Sequence, residues 1–76
     1  MIYDLQYVKD NNVHIQLFDK DNKEILNVFE IDTVFKEYRH YKSDENNKLI
    51  LDEHREVIKL TSELTPEHSI VINERD

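Results

Sequence analysis

The sequence predicts a small α+β domain, mainly antiparallel sheet with one helix. Three observations carry this. The chain has 76 residues, room for a single domain over 1–76. Ile, Val and Thr total seventeen residues and Ala is absent, which tilts local preference toward strands. Apolar residues alternate in short runs, and Asn and Asp cluster at the breaks between them.

The elements follow in order. Tyr3, Leu5 and Tyr7 alternate with Asp4 and Gln6, which predicts a strand near 2–8. After Asn11-Asn12, Val13, Ile15 and Leu17 alternate with His14 and Gln16, a second strand near 13–18 pairing with the first as a hairpin. Residues 24–31 carry Ile25, Phe29 and Ile31 on one face and Leu26 and Val28 on the other. A strand apolar on both faces suits a central or interface position. Asp32 or Thr33 can cap a helix, and Val34, Phe35, Tyr38 and Tyr41 recur at helical spacing, which predicts a helix near 33–43. A long strand is the rival reading, since Phe35, Glu37, Arg39 and Tyr41 also alternate. Strands are expected near 48–52 and 56–61, with a helix over about 52–63 as the alternative. Thr65-Pro66-Glu67 reads as a capped turn with Pro in its favoured place, and Ile70-Val71-Ile72 centres a strand near 69–73. Asn73 to Asp76 reads as a frayed polar tail. No internal repeat, linker or low-complexity segment is apparent.

Absent residue types exclude several functions. There is no Gly, so no glycine-rich phosphate loop and no G-x-S-x-G elbow can form. Tight turns, which need positive φ, must fall on Asn and Asp. There is no Cys, so no disulfide framework and no thiolate metal site. No window approaches 18 apolar residues, and Met1-Ile2-Tyr3-Asp4 is not a signal sequence, which predicts a cytoplasmic protein.

The remaining chemistry is sparse. His14, His40, His54 and His68 match no metal spacing, and no cofactor or metal is expected. His54 among Asp52, Glu53 and Glu56 reads as an exposed turn histidine. Asp19 to Glu30 superficially resembles a calcium loop, but the turning Gly is missing and Ile25, Leu26 and Val28 read as strand. His68 and Ser69 are adjacent, so in a strand they point apart and cannot act together. No enzyme is expected.

Charge is the informative feature. Seventeen acids against ten Lys and Arg give −7 at pH 7. Two acidic arms flank the basic-aromatic segment Phe35 to Lys42, where Lys36, Arg39 and Lys42 with Tyr38 and Tyr41 could contact single-stranded nucleic acid; a helix with its aromatics in the core is the plainer reading. The densest acids are Asp44, Glu45, Asp52, Glu53, Glu56, Glu63, Glu67 and Glu74. On a sheet, same-face positions repeat about every 6.6–7 Å, close to the phosphate step along one DNA strand. The expected function is therefore a non-enzymatic acidic inhibitor that mimics DNA. It would occupy the basic nucleic-acid-binding surface of a host protein, without binding nucleic acid or membrane itself. A composition rich in Lys, Asn, Asp and Ile resembles small acidic proteins of AT-rich Gram-positive bacteria and their phages, which implies a protein that blocks a host component. The alternative is a structural or regulatory interaction module, in which Leu26, Val28 and Phe29 form an interface and the acids only solubilise. A homodimer fits the short chain, because so small a core is marginal alone.

Overall fold

A computed structural model describes residues 1–75; Asp76, the last residue of the expected polar tail, lies outside the described residues. The fold is α+β. Strand β1 (Ile2–Asp4) runs into helix α1 (Leu5–Asn11), followed by β2 (Val13–Phe18), β3 (Val28–Asp32), β4 (Glu37–Tyr41), β5 (Lys59–Glu63) and β6 (Ser69–Glu74). All pairings are antiparallel. One sheet has the order β1-β3-β4-β5, and a two-stranded sheet joins β2 to β6.

The expected strand at 2–8 stops after Asp4. Its carboxylate accepts the Tyr7 N–H at 2.9 Å, and Asn12 closes the helix in the left-handed region with φ 51°. Tyr3 and Tyr7 fit either period, and they meet edge-on at 4.9 Å. The intervening helix separates β1 from β2, so the two do not form the expected hairpin. Instead β1 pairs with β3, and β2 pairs with β6. The strand at 13–18 lies where its alternation placed it, and the 69–73 strand extends one residue to Glu74.

The run at 24–31 is two segments. Glu24 bridges Phe18, and the Ile25 N–H donates to the Leu17 carbonyl at 2.8 Å, so these residues extend a hairpin from β2. Asn27, at φ 63°, then redirects the chain into β3. The run is thus divided between two different pairings, and each expected apolar face is split by the break at Asn27.

The helix near 33–43 does not form. The capping signal was genuine, but it closes a turn: the Asp32 carboxylate accepts the Val34 and Phe35 N–H groups at 2.9 and 3.0 Å, and Lys36 takes φ 57°. From Glu37 the chain returns as β4, an inner strand of the sheet, bonded to β3 and β5. Pairing along both edges outweighs a helix signal that rested on four aromatic or β-branched residues, all modest helix formers. The strand expected at 48–52 shrinks to the single bridges Ser43–Leu49 and Leu51–Val57, the one expected at 56–61 forms further along as β5, Lys59–Glu63, and no helix spans 52–63.

Three turns share one construction, a short repeat that no glycine marks in the sequence. It occupies Asp19–Leu26, Asp44–Leu51 and Asp52–Lys59. In each, the first Asp carboxylate accepts N–H groups two and four residues on, at 2.8–3.0 Å. The fourth residue (Asn22, Asn47 or Arg55) has φ near 60°. The residue before the Asp bridges the sixth position, and the seventh is a half-buried Ile: Ile25, Ile50 or Ile58. This is a type I turn closed by a left-handed residue, the arrangement that normally takes Gly.

Core formation is limited. Val13, Leu17 and Ile31 are the buried hydrophobic residues. The accessible surface is 5993 Å², against about 4,900 Å² expected for a monomer of this mass. The radius of gyration is 13.0 Å, against about 11 Å expected for the length.

Candidate functional site

Register places the side chains of the larger sheet on two faces. Tyr3, Ile31, Tyr38 and Ser62 lie side by side across the four strands. Ile31 is 2% exposed, Tyr3 packs on Tyr7 and Tyr38 packs on His68, so this is the covered face. The opposite face carries two rows. One is Ile2, Asp32, Glu37 and Glu63; the next is Asp4, Glu30, Arg39 and Thr61. Five of these eight side chains are carboxylates.

They are not equivalent. Asp4 caps α1, Asp32 holds its turn, and Glu30 pairs with Arg39. Glu37 and Glu63 sit directly opposite one another and form no ion pair among the described residues. Neighbouring strands are about 4.8 Å apart, and like charges in facing positions destabilise a sheet. The row ends at the β3–β4 tip, where Val34 and Phe35 are 70% and 76% exposed. A shallow depression of about 460 Å³ joins Phe35, Lys36 and Glu37 to Thr61, Ser62 and Glu63. An exposed aromatic beside unpaired carboxylates is suited to anchor a cationic surface.

The acids singled out in the sequence are dispersed by comparison. Asp44 and Glu45 lie on one turn, and Asp52, Glu53 and Glu56 on the next. Glu67 belongs to the turn in which the His68 N–H donates to the Thr65 carbonyl, and Glu74 ends β6 opposite Val13. Glu63 alone joins the carboxylate face. Asp44 and Asp52 hold their own turns. Asp32 and Glu37, the partners of Glu63, became visible as such only with the hairpin at 32–37. Reading Asp32 as the start of a reversal, with alternation resuming at Glu37, would have exposed them.

Other candidates resolve similarly. Leu26, Val28 and Phe29 line a cleft of about 310 Å³ with Leu5, Val8 and Ile15. Phe29 is the extra residue of a β-bulge and stacks on Tyr41 at 4.6 Å, with the Lys59 ammonium 5.8 Å from its ring. In the basic-aromatic segment, Tyr38 and Tyr41 point to opposite faces, and Arg39 is engaged by Glu30. His54 lies 3.5 Å from Glu53 on the surface. The His40 ring Nε2 is 3.0 Å from Ser62 Oγ across β4 and β5, a pair that chain adjacency could not reveal. The two ends of the calcium-loop resemblance are otherwise engaged: Asp19 holds its turn and Glu30 pairs with Arg39. Among the described residues no cluster of three or more His, Asp or Glu is placed to hold a metal ion, and no helix is long and apolar enough to cross a membrane. Comparison with protein-family models, with curated proteins and with solved structures finds no match.

Proposed function

We propose that this chain is a non-catalytic acidic binding protein that docks on the basic, nucleic-acid-contacting surface of another protein and excludes DNA from it. The observation that carries the reading is the facing pair Glu37 and Glu63 on the open side of the sheet, continued by Asp32 and bordered by Phe35. Carboxylates spaced about 4.8 Å across strands and about 6.7 Å along them form a dense anionic lattice. A groove that binds phosphates at one charge per about 1.7 Å of duplex would attract such a lattice. With −7 overall, the approach is steered from a distance, and salt weakens it. Phe35 supplies desolvated contact that charge alone lacks.

The reading extends to a host-directed inhibitor of mobile-element type, for which the acids on the 44–48 and 52–56 turns and Glu67 and Glu74 broaden the field. The test is an immobilised chain probed with a panel of basic DNA-binding proteins at low and high salt. Retention that falls with salt, and falls further with Glu37→Gln plus Glu63→Gln than with Glu45→Gln plus Glu53→Gln, is the expected result. No retention at low salt would sink the proposal. Retention indifferent to all four substitutions would move the contact to an apolar surface such as that of Leu26, Val28 and Phe29.

A further inference from the structure

We infer that the outer edge of β6 binds the same edge of a second copy of this chain, giving an antiparallel four-stranded sheet in the order β2-β6-β6-β2. Among the described residues strand β6 is bonded on one side only, to β2, and five of its six residues are exposed. Such an edge is a template for another strand, and Ser69–Glu74 carries no Lys or Pro to block it. A two-stranded sheet is marginal by itself, and the excess accessible surface noted above points the same way.

Hydrogen-bond parity and sequence choose the partner. The Arg75 N–H donates to the Asn12 carbonyl at 3.0 Å. Alternation from that pair directs the backbone groups of Ser69, Val71 and Asn73 to β2, and those of Ile70, Ile72 and Glu74 outward. Two β6 strands related by a twofold axis through Val71 then match outward groups with outward groups. Ile70 faces Ile72 of the second copy, Ser69 faces Asn73, and Val71 faces itself. At the ends, Glu74 meets His68 and Arg75 approaches Glu67. The Thr65 N–H donates to His68 Nδ1 at 3.0 Å, which leaves Nε2 to donate to the Glu74 carboxylate of the second copy. Apolar residues meet apolar ones, Arg75 and Glu67 join opposite charges, and the His68 N–H donor meets a carboxylate. Moving the axis to Ile70 sets Glu74 against Pro66, and moving it to Ile72 sets Ile70 against Glu74. Only the Val71 register is self-complementary.

The chain lacks cysteine, so the register can be read by cross-linking. Val71 facing itself in a non-hydrogen-bonded pair has Cα atoms about 4.5 Å apart, within disulfide range. Ser69 and its copy, offset by four residues, are about 13 Å apart. In a glutathione redox buffer, the full-length Val71→Cys variant should form disulfide dimer roughly tenfold faster than Ser69→Cys. Both sites are exposed, and circular dichroism checks that both variants fold. Sedimentation equilibrium of the unmodified chain should show dimer, weakened roughly tenfold in Kd by Glu74→Arg. Equal or reversed cross-linking rates, or a monomer up to about 1 mM, would overturn the inference.

Discussion

Replacing Arg55 with Gly should make the protein more stable. Six described non-glycine residues have positive φ, and Arg55, at 62°, is not of the Asn type that tolerates this region. Its side chain forms no ion pair among the described residues. An L-residue in the left-handed region costs about 1–2 kcal/mol. Glycine removes that strain, but its freer unfolded chain gives back about 0.5–1 kcal/mol. The net gain is roughly 0.5–1 kcal/mol, or about 2–8 °C in Tm for a domain of this size. Loss of a cation from a chain at −7 works against the gain, so the measurement belongs at moderate salt, where exposed charges are screened. Thermal unfolding followed by circular dichroism is the assay, with Lys20→Gly as control. Lys20 is exposed in an equivalent turn but lacks positive φ, so glycine there should cost about 0.5–1 kcal/mol. An Arg55→Gly variant with an unchanged or lower Tm, or one that behaves like Lys20→Gly, would refute the strain argument.

Three further outcomes follow from the same geometry. Asp52→Ala should lower the urea midpoint by an amount equivalent to about 1 kcal/mol, because the carboxylate holds two turn N–H groups, whereas Asp52→Asn should stay within about 0.5 kcal/mol. Leu17→Ala, at a site 1% exposed, should cost about 2–5 kcal/mol and leave much of the protein unfolded at room temperature by circular dichroism, since so few side chains are buried. Glu37→Gln should raise stability by a few tenths of a kcal/mol in urea titration by relieving its opposition to Glu63, while weakening binding to a basic partner. A substitution that stabilises the fold and impairs binding is the signature expected of charges placed for a partner.

What the sequence made legible depended on whether local pattern and tertiary pairing agreed. Val13–Leu17 alternates, Ile70-Val71-Ile72 is a β-branched run, and both lie in true strands; the Asn and Asp clusters do mark reversals. The chain misled where one residue type serves two structures. Asp32 caps a turn with the same hydrogen bonds that start a helix, and Tyr3 and Tyr7 meet equally well at helical spacing. Strand partners were not legible, because which strands join is decided by distant residues such as Leu17 and Ile70 meeting in the sheet. The carboxylate face inherited that gap: Glu63 was singled out for local acidity, but its neighbours Asp32 and Glu37 emerged only from register. The repeated turn was legible in principle as Asp with Asn or Arg three residues on and Ile six on. Without Gly its usual mark was missing.

On the proposed function, the open sheet face competes with DNA for a basic surface. The most direct measurement is a titration of duplex DNA into the complex between this chain and a basic DNA-binding protein that retains it, followed by fluorescence anisotropy of the labelled chain. DNA should displace the labelled chain fully, and the Glu37→Gln plus Glu63→Gln chain should be displaced at lower DNA concentration. Simultaneous binding of DNA and the chain, or displacement unchanged by those substitutions, would contradict the account.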